Sequence, residues 1–138
     1  MDPLSVAALV LNAIDVSAKV SGKVTRLAIS LKNAPADILA LANEIEDLRV
    51  VLHEAQGARE ILEAAKKDNP SFLEALCREI RHAQTQVDIL DDVIDVALAA
   101  NKARRWVWVR QESHIARRKL ELRQSRERIQ ELLATHNV

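Results

Sequence analysis

The opening stretch, residues 2–31, constrains this chain more than any other. Asp2 suits an N-cap and Pro3 the first helical position, so a helix is expected almost from the initiator Met. Residues 3–14 contain no charged side chain. Winding the segment at about 100° per residue puts Ser5, Asn12, Asp15, Lys19, Lys23, Arg26 and Ser30 on one narrow arc. The rest of the circumference carries Leu4, Val6, Leu9, Val10, Leu11 and Ile14, continued by Val16, Val20, Val24, Leu27, Ile29 and Leu31. Such a helix must be covered.

Two coverings are open. The apolar arc can lie against the other helices of one bundle, the expected resting state. Alternatively the first turns, Leu4, Val6, Leu9, Val10, Leu11 and Ile14, leave the bundle and enter a bilayer or pack between copies of the chain. A spanning helix needs about 20 apolar residues. The uncharged run is shorter, so the pattern implies interfacial insertion or a multi-chain assembly and not a simple transmembrane anchor.

One domain is expected from 138 residues. Apolar residues make up 49% and aromatics 2%, with two glycines and three prolines, which is the balance of an all-helical protein. Twenty basic residues offset twenty acidic ones, so no global field draws the chain to nucleic acid. The balance hides a split: residues 1–100 carry ten basic and sixteen acidic groups, and residues 101–138 carry ten and four. The single cysteine, Cys77, leaves no disulfide to form within the chain and fits a reducing cytosol. Asp2 ahead of the apolar run argues against a signal peptide.

Breaks are expected at 32–35 and, more strongly, at 67–70, since a residue before proline is pushed out of the helical region. Asn33 or Ala34 is expected to cap a second helix beginning at Pro35. Its apolar positions are Ile38, Leu41, Ile45, Leu48, Leu52 and Ala55, continuing through Ile61, Leu62 and Ala65 despite Gly57. A third helix starts near Pro70 and runs to about Asn101. Its stripe is Phe72 or Leu73, Leu76, Ile80, Ala83, Val87, Leu90, Ile94 and Ala97 with Leu98. The region around Trp106 and Trp108 reads as a turn before helix four or as a bent continuation. Helix four shows Ile115, Leu122, Ile129 and Leu132 or Leu133 at mostly heptad spacing. The fold expected is an antiparallel four-helix bundle, with helix two or three open to being broken in two. The sequence stops two residues after His136, which fits the first domain of a longer chain.

Asp88, Asp91, Asp92 and Asp95 fall at i, i+3, i+4 and i+7, on one helical face. They repel unless cations lie nearby. An antiparallel hairpin of helices three and four would supply Arg104, Arg105, Arg110, Arg117 and Arg118. A docking face for another domain is the next reading, and a metal site comes last, for want of the carbonyls and glycine of calcium loops. The same arginines could meet anionic lipid, although Glu112, Glu121, Glu127 and Glu131 make a solvated, salt-bridged face the first reading. At most one of Trp106 and Trp108 can face outward on a helix, and the other is expected to close the end of the core. His53, His82, His114 and His136 lack metal-ligand spacing, and Cys77 reads as a small buried hydrophobe. With no phosphate loop, nucleophile elbow or metal helix motif, neither catalysis nor a cofactor is expected.

The opening Met1-Asp2-Pro3-Leu4-Ser5-Val6-Ala7-Ala8, followed by a small-and-aliphatic helix, resembles the start of the HeLo-like N-terminal domains of fungal NOD-like receptors of the STAND class. Ile45-Glu46-Asp47-Leu48-Arg49-Val50-Val51-Leu52 looks like their second helix. Arg105-Trp106-Val107-Trp108, with a charged helix ending Ile129-Gln130-Glu131-Leu132-Leu133, is similar to their closing segment. The resemblance implies a cytosolic bundle fused to a nucleotide-binding oligomerisation domain. On activation such domains self-associate and move to membranes to cause programmed cell death, like the executioner bundles of necroptosis and of plant coiled-coil immune receptors. Asp91-Asp92-Val93-Ile94-Asp95 is similar to an acidic motif of the plant domains that docks on another domain of the same receptor. The alternative expectation is a helical interaction and oligomerisation scaffold with no membrane activity.

Overall fold

The computed structural model describes residues 3–64 and 69–135, with side chains described from Ser5 onward. Asp2, the side chain of Leu4, the break at 67–68 and His136 lie outside the described residues. Every described element is helical: α1 (Pro3–Ser30), α2 (Ala36–Ala64), α3 (Pro70–Ala99), a 3-10 turn (Asn101–Ala103), α4 (Arg104–Arg110) and α5 (Glu112–Thr135). The expected count of four helices is corrected to five. The extra element is α4, in the stretch around the two tryptophans, and α2 and α3 are each continuous.

The helix ends follow from single residues. Asn33 (φ 57°) and Asn101 (φ 52°) adopt the left-handed conformation that asparagine tolerates better than other side-chain-bearing residues. Asn33 lies in the turn that follows the end of α1 at Ser30, and α2 opens with the Ile38 N–H bonded to the Pro35 carbonyl at 3.1 Å. Asn101 follows the end of α3 at Ala99, in keeping with the expected end at about Asn101. Asn69 caps α3, its side-chain oxygen accepting from the Phe72 N–H at 3.2 Å, with Pro70 in the first turn.

The core draws on all five helices. Ile38, Leu41, Ile45, Leu48 and Leu52 of α2 are buried, as are Phe72, Leu76, Ile80, Leu90 and Ile94 of α3 and Ile115, Leu122 and Ile129 of α5. Ile61, expected to extend the α2 stripe, is exposed instead, and Leu62 turns inward. Trp108 is fully buried and closes one end of the core, its indole N–H donating to Asp37 Oδ2 at 3.0 Å, while Trp106 faces solvent.

Helix α1 packs on α2 and α3, and α5 packs on α3 and α2. The pairs α1/α2 and α3/α5 are antiparallel; in the latter Gln86 meets Arg118 and His82 meets Glu121. The pairs α1/α3 and α2/α5 run parallel. Lys23 meets Asp91 and Asp95 in the later part of both α1 and α3, while along α2 the order is Asp37, meeting Trp108 just before α5, and then Glu44, meeting Arg123 and Arg126 within α5. A wholly antiparallel arrangement of neighbours is thus corrected.

Candidate functional site

The apolar surface of α1 is divided by its neighbours. Val6 and Val10 are buried with Ala13, Val20, Val24 and Leu27, while Leu9 and Ile14 lie half-buried at the boundary. Leu11 is 53% exposed, because the next residue round a helix from the inward-pointing Val10 turns away from both α2 and α3. The six residues expected to form one inserting surface are therefore split: two inward, two at the boundary, Leu11 outward, and Leu4 outside the described side chains.

Residues Ser5–Ser30 are long and apolar enough to cross a membrane by length and composition, a test that core helices of soluble proteins also pass. The expectation of a run too short to span concerned the uncharged residues 3–14 alone, and the longer segment reaches this length by continuing past Asp15 and Lys19. The uncharged run is short, but the first charges after it neutralise each other, Lys19 Nζ lying 3.0 Å from Asp15 Oδ2 one turn away.

Polar contacts tie α1 to both neighbours. Lys23 Nζ lies 2.8 Å from Asp91 Oδ1 and 3.0 Å from Asp95 Oδ1. Hydrogen bonds to Asp91 and then Asp95 raise its pKa above the ordinary 10.5 against the opposing effect of burial. On the other side Ser21 donates to Glu46. Desolvation pushes that carboxyl upward, but the bonds from Ser21 and Arg49 prevail and hold it below its ordinary 4.5.

The acidic face of α3 is therefore neutralised in part from α1. The expected arginine neighbours are used elsewhere. Arg104 Nε donates to the Leu98 carbonyl at 3.0 Å, Arg105 donates to the carbonyls of Lys32 and Asn33, and Arg118 donates to Gln86 at 3.1 Å. Arg110 and Arg117 point to solvent. Asp88 and Asp92 are exposed. Partial desolvation, then the charges of Asp91 and Asp92, raise the Asp88 carboxyl above its ordinary 3.8. No cluster of metal-ligating side chains occurs among the described residues.

Burial raises the Cys77 thiol above its ordinary 9.0, against the nearby charge of Arg81, which is the opposite of what a nucleophilic thiolate requires. His53 and His114 are exposed, and His82 Nε2 lies 3.2 Å from Glu121 Oε2.

Sequence reasoning missed the partner of the acidic row, Lys23, and a buried ionic cluster. Glu44, 5% exposed, accepts from Arg126 Nε at 2.9 Å and Arg123 Nε at 3.2 Å. The signal for Glu44 was present: it sits three residues after Leu41 and four before Leu48, on the buried stripe of α2. Nothing local marks Lys23, whose partners lie 68 and 72 residues away. No family model matches the chain, and no curated protein or solved structure shows significant similarity to it.

Proposed function

We propose that this chain is a death-inducing, membrane-targeting signalling domain of the kind found at the N-terminus of fungal NOD-like receptors, and that its packing is a four-helix bundle of α1, α2, α3 and α5 to which α4 is an addition. Self-association would release α1, whose apolar surface is reburied in lipid or between protomers. The supporting observation is the position of α1. It packs on α2 and α3, and α5 joins those two helices independently, so its departure leaves α5 still packed against both α2 and α3. Other domains of the same receptor would restrain it before activation, with cytosol as the resting compartment.

The energetics allow an exchange of partners. Each fully buried Val or Leu is worth roughly 1.5–3 kcal/mol. Val6, Val10, Val20, Val24 and Leu27 together approach the roughly 5–15 kcal/mol that holds a whole domain. A second apolar host of equal depth can therefore compete. The burial of these five side chains also favours the second reading, a scaffold whose helices bind partner helices and never meet lipid.

Leu11 separates the two readings because it is largely exposed. Leu11→Glu leaves the bundle folded, and the proposal expects it to abolish both toxicity on expression and leakage of vesicles under forced oligomerisation. Leu4→Glu and Leu9→Glu are expected to do the same. If folded Leu11→Glu kills and leaks like the parent, α1 does not insert and the scaffold reading replaces this one.

A further inference from the structure

One end of the molecule gathers apolar and cationic side chains from segments far apart in sequence. The turn after α1 brings the start of α2 beside the end of α1. Helix α4 is fastened to both, through Arg105 on the Lys32 and Asn33 carbonyls and Trp108 on Asp37. Nine large hydrophobic residues are exposed among the described residues, and five of them belong to this end: Ile29 (80%), Leu39, Val96, Trp106 (62%) and Val109. Because Trp108 points into the core, α4 turns Trp106 and Val109 outward together with Arg110.

The two connecting stretches at this end are mainly cationic, while the last turns of α3 that carry Val96 also carry Asp92 and Asp95. Residues 29–39 and 99–112 carry five cations, Lys32, Lys102, Arg104, Arg105 and Arg110, against two carboxylates, Asp37 and Glu112. Asp37 is engaged by the Trp108 indole. Farther in, Asp91 and Asp95 are held by Lys23, and exposed Asp92 lines a groove of about 190 Å³ with Val93, Val96, Val107, Gln111 and His114.

We propose that this end is a docking surface for an anionic lipid bilayer, with Trp106 seated at headgroup level and Lys102 and Arg110 facing lipid phosphates. Tryptophan favours that depth because its ring is apolar and its N–H stays wet. Cations beside it gain from the negative surface potential of such membranes. A partner helix would need a continuous apolar channel. Here the aliphatic side chains are spread over four segments, and the adjoining groove is too small to seat a helix, so charge complementarity to a soft, planar, negative surface decides the occupant.

The proposal rests on the membrane setting of the function above but uses a different surface. Helix α1 has 28 residues and is about 42 Å long, so its first turns lie at the opposite end of the molecule. Docking here requires no release of α1.

The test is sedimentation of the 138-residue chain with phosphatidylcholine vesicles, with and without phosphatidylserine, and quenching of its tryptophan fluorescence by brominated lipid. The parent is expected to bind and be quenched on phosphatidylserine vesicles and to ignore neutral ones. Trp106→Ser, and separately Lys102→Glu with Arg110→Glu, should each weaken binding on the order of tenfold with an unchanged helical melt, since all three side chains are exposed. Leu11→Glu should bind like the parent and fail in leakage. Equal binding to neutral vesicles, absence of quenching, or parental binding by the end variants overturns the proposal. Loss of binding in Leu11→Glu alone overturns it too, while leaving the α1 mechanism standing.

Discussion

Lys23 of α1 reaches across to Asp91 of α3, its Nζ 2.8 Å from Oδ1, and a second carboxylate, Asp95, closes on the same ammonium at 3.0 Å. One cation thus relieves two of the four acids aligned on α3 and fastens α1 to its parallel neighbour.

Replacing Lys23 by Met is expected to cost global stability no more than about 1 kcal/mol, because the Lys23 and Asp91 side chains remain 27% and 29% exposed. The local effect should be larger. Amide exchange in the second half of α1 should quicken relative to α2, and equal protection in variant and parent would refute the clasp. The pH dependence has a fixed sign. Lys23 has a raised pKa in the folded state, so its stabilisation is complete below the ordinary 10.5 and fades as pH climbs through the raised value. The gap between parent and variant in urea unfolding should close in strongly alkaline solution and persist at neutrality.

The Glu44 cluster predicts an asymmetry. Arg126→Met removes the closer partner of a carboxylate that is 5% exposed, leaving it to Arg123, itself 49% exposed, and should cost about 3 kcal/mol. Glu44→Leu instead removes the buried charge and frees two arginines able to reach water. Its cost should stay within about 1 kcal/mol. Denaturant midpoints for the two variants check this, and a Glu44→Leu protein less stable than Arg126→Met would contradict it.

Asp37→Ala leaves the fully buried Trp108 indole N–H without its acceptor and should destabilise by roughly 1–3 kcal/mol. Trp108→Ala should cost about 3–5 kcal/mol by opening a cavity at the end of the core. Thermal melts followed by circular dichroism measure both. Since Asp37 and Trp108 share one bond, their double variant should cost less than the two single losses combined.

The buried stripes are legible in the order of residues. Ile38 through Ala55 and Phe72 through Ala97 recur at three- and four-residue spacing, and each of those helices buries that face. Cys77 and the division of labour between Trp106 and Trp108 are legible for the same reason. The partner of the acidic row is not. A helical repeat tells which residues share a face and nothing about which helix lies opposite, so the nearby arginines of α4 and α5 look like the natural partners of Asp91 and Asp95. Helix α4 is hidden because Gln111 carries no proline or glycine to mark the bend after it.

By itself the amino-acid order determined that the chain is helical, where its principal helices begin and end to within a few residues, and which side of each is apolar. These properties depend on neighbours within one or two turns, which the linear pattern records. Tertiary structure alone decided that α1 runs parallel to α3, that Lys23 answers Asp91 and Asp95, that Leu11 faces outward, and that Ile29, Leu39, Val96, Trp106 and Val109 are left exposed. Those outcomes depend on which apolar faces pack together in three dimensions, a choice made among many near-equivalent stripes by the fit of side chains that no local periodicity encodes.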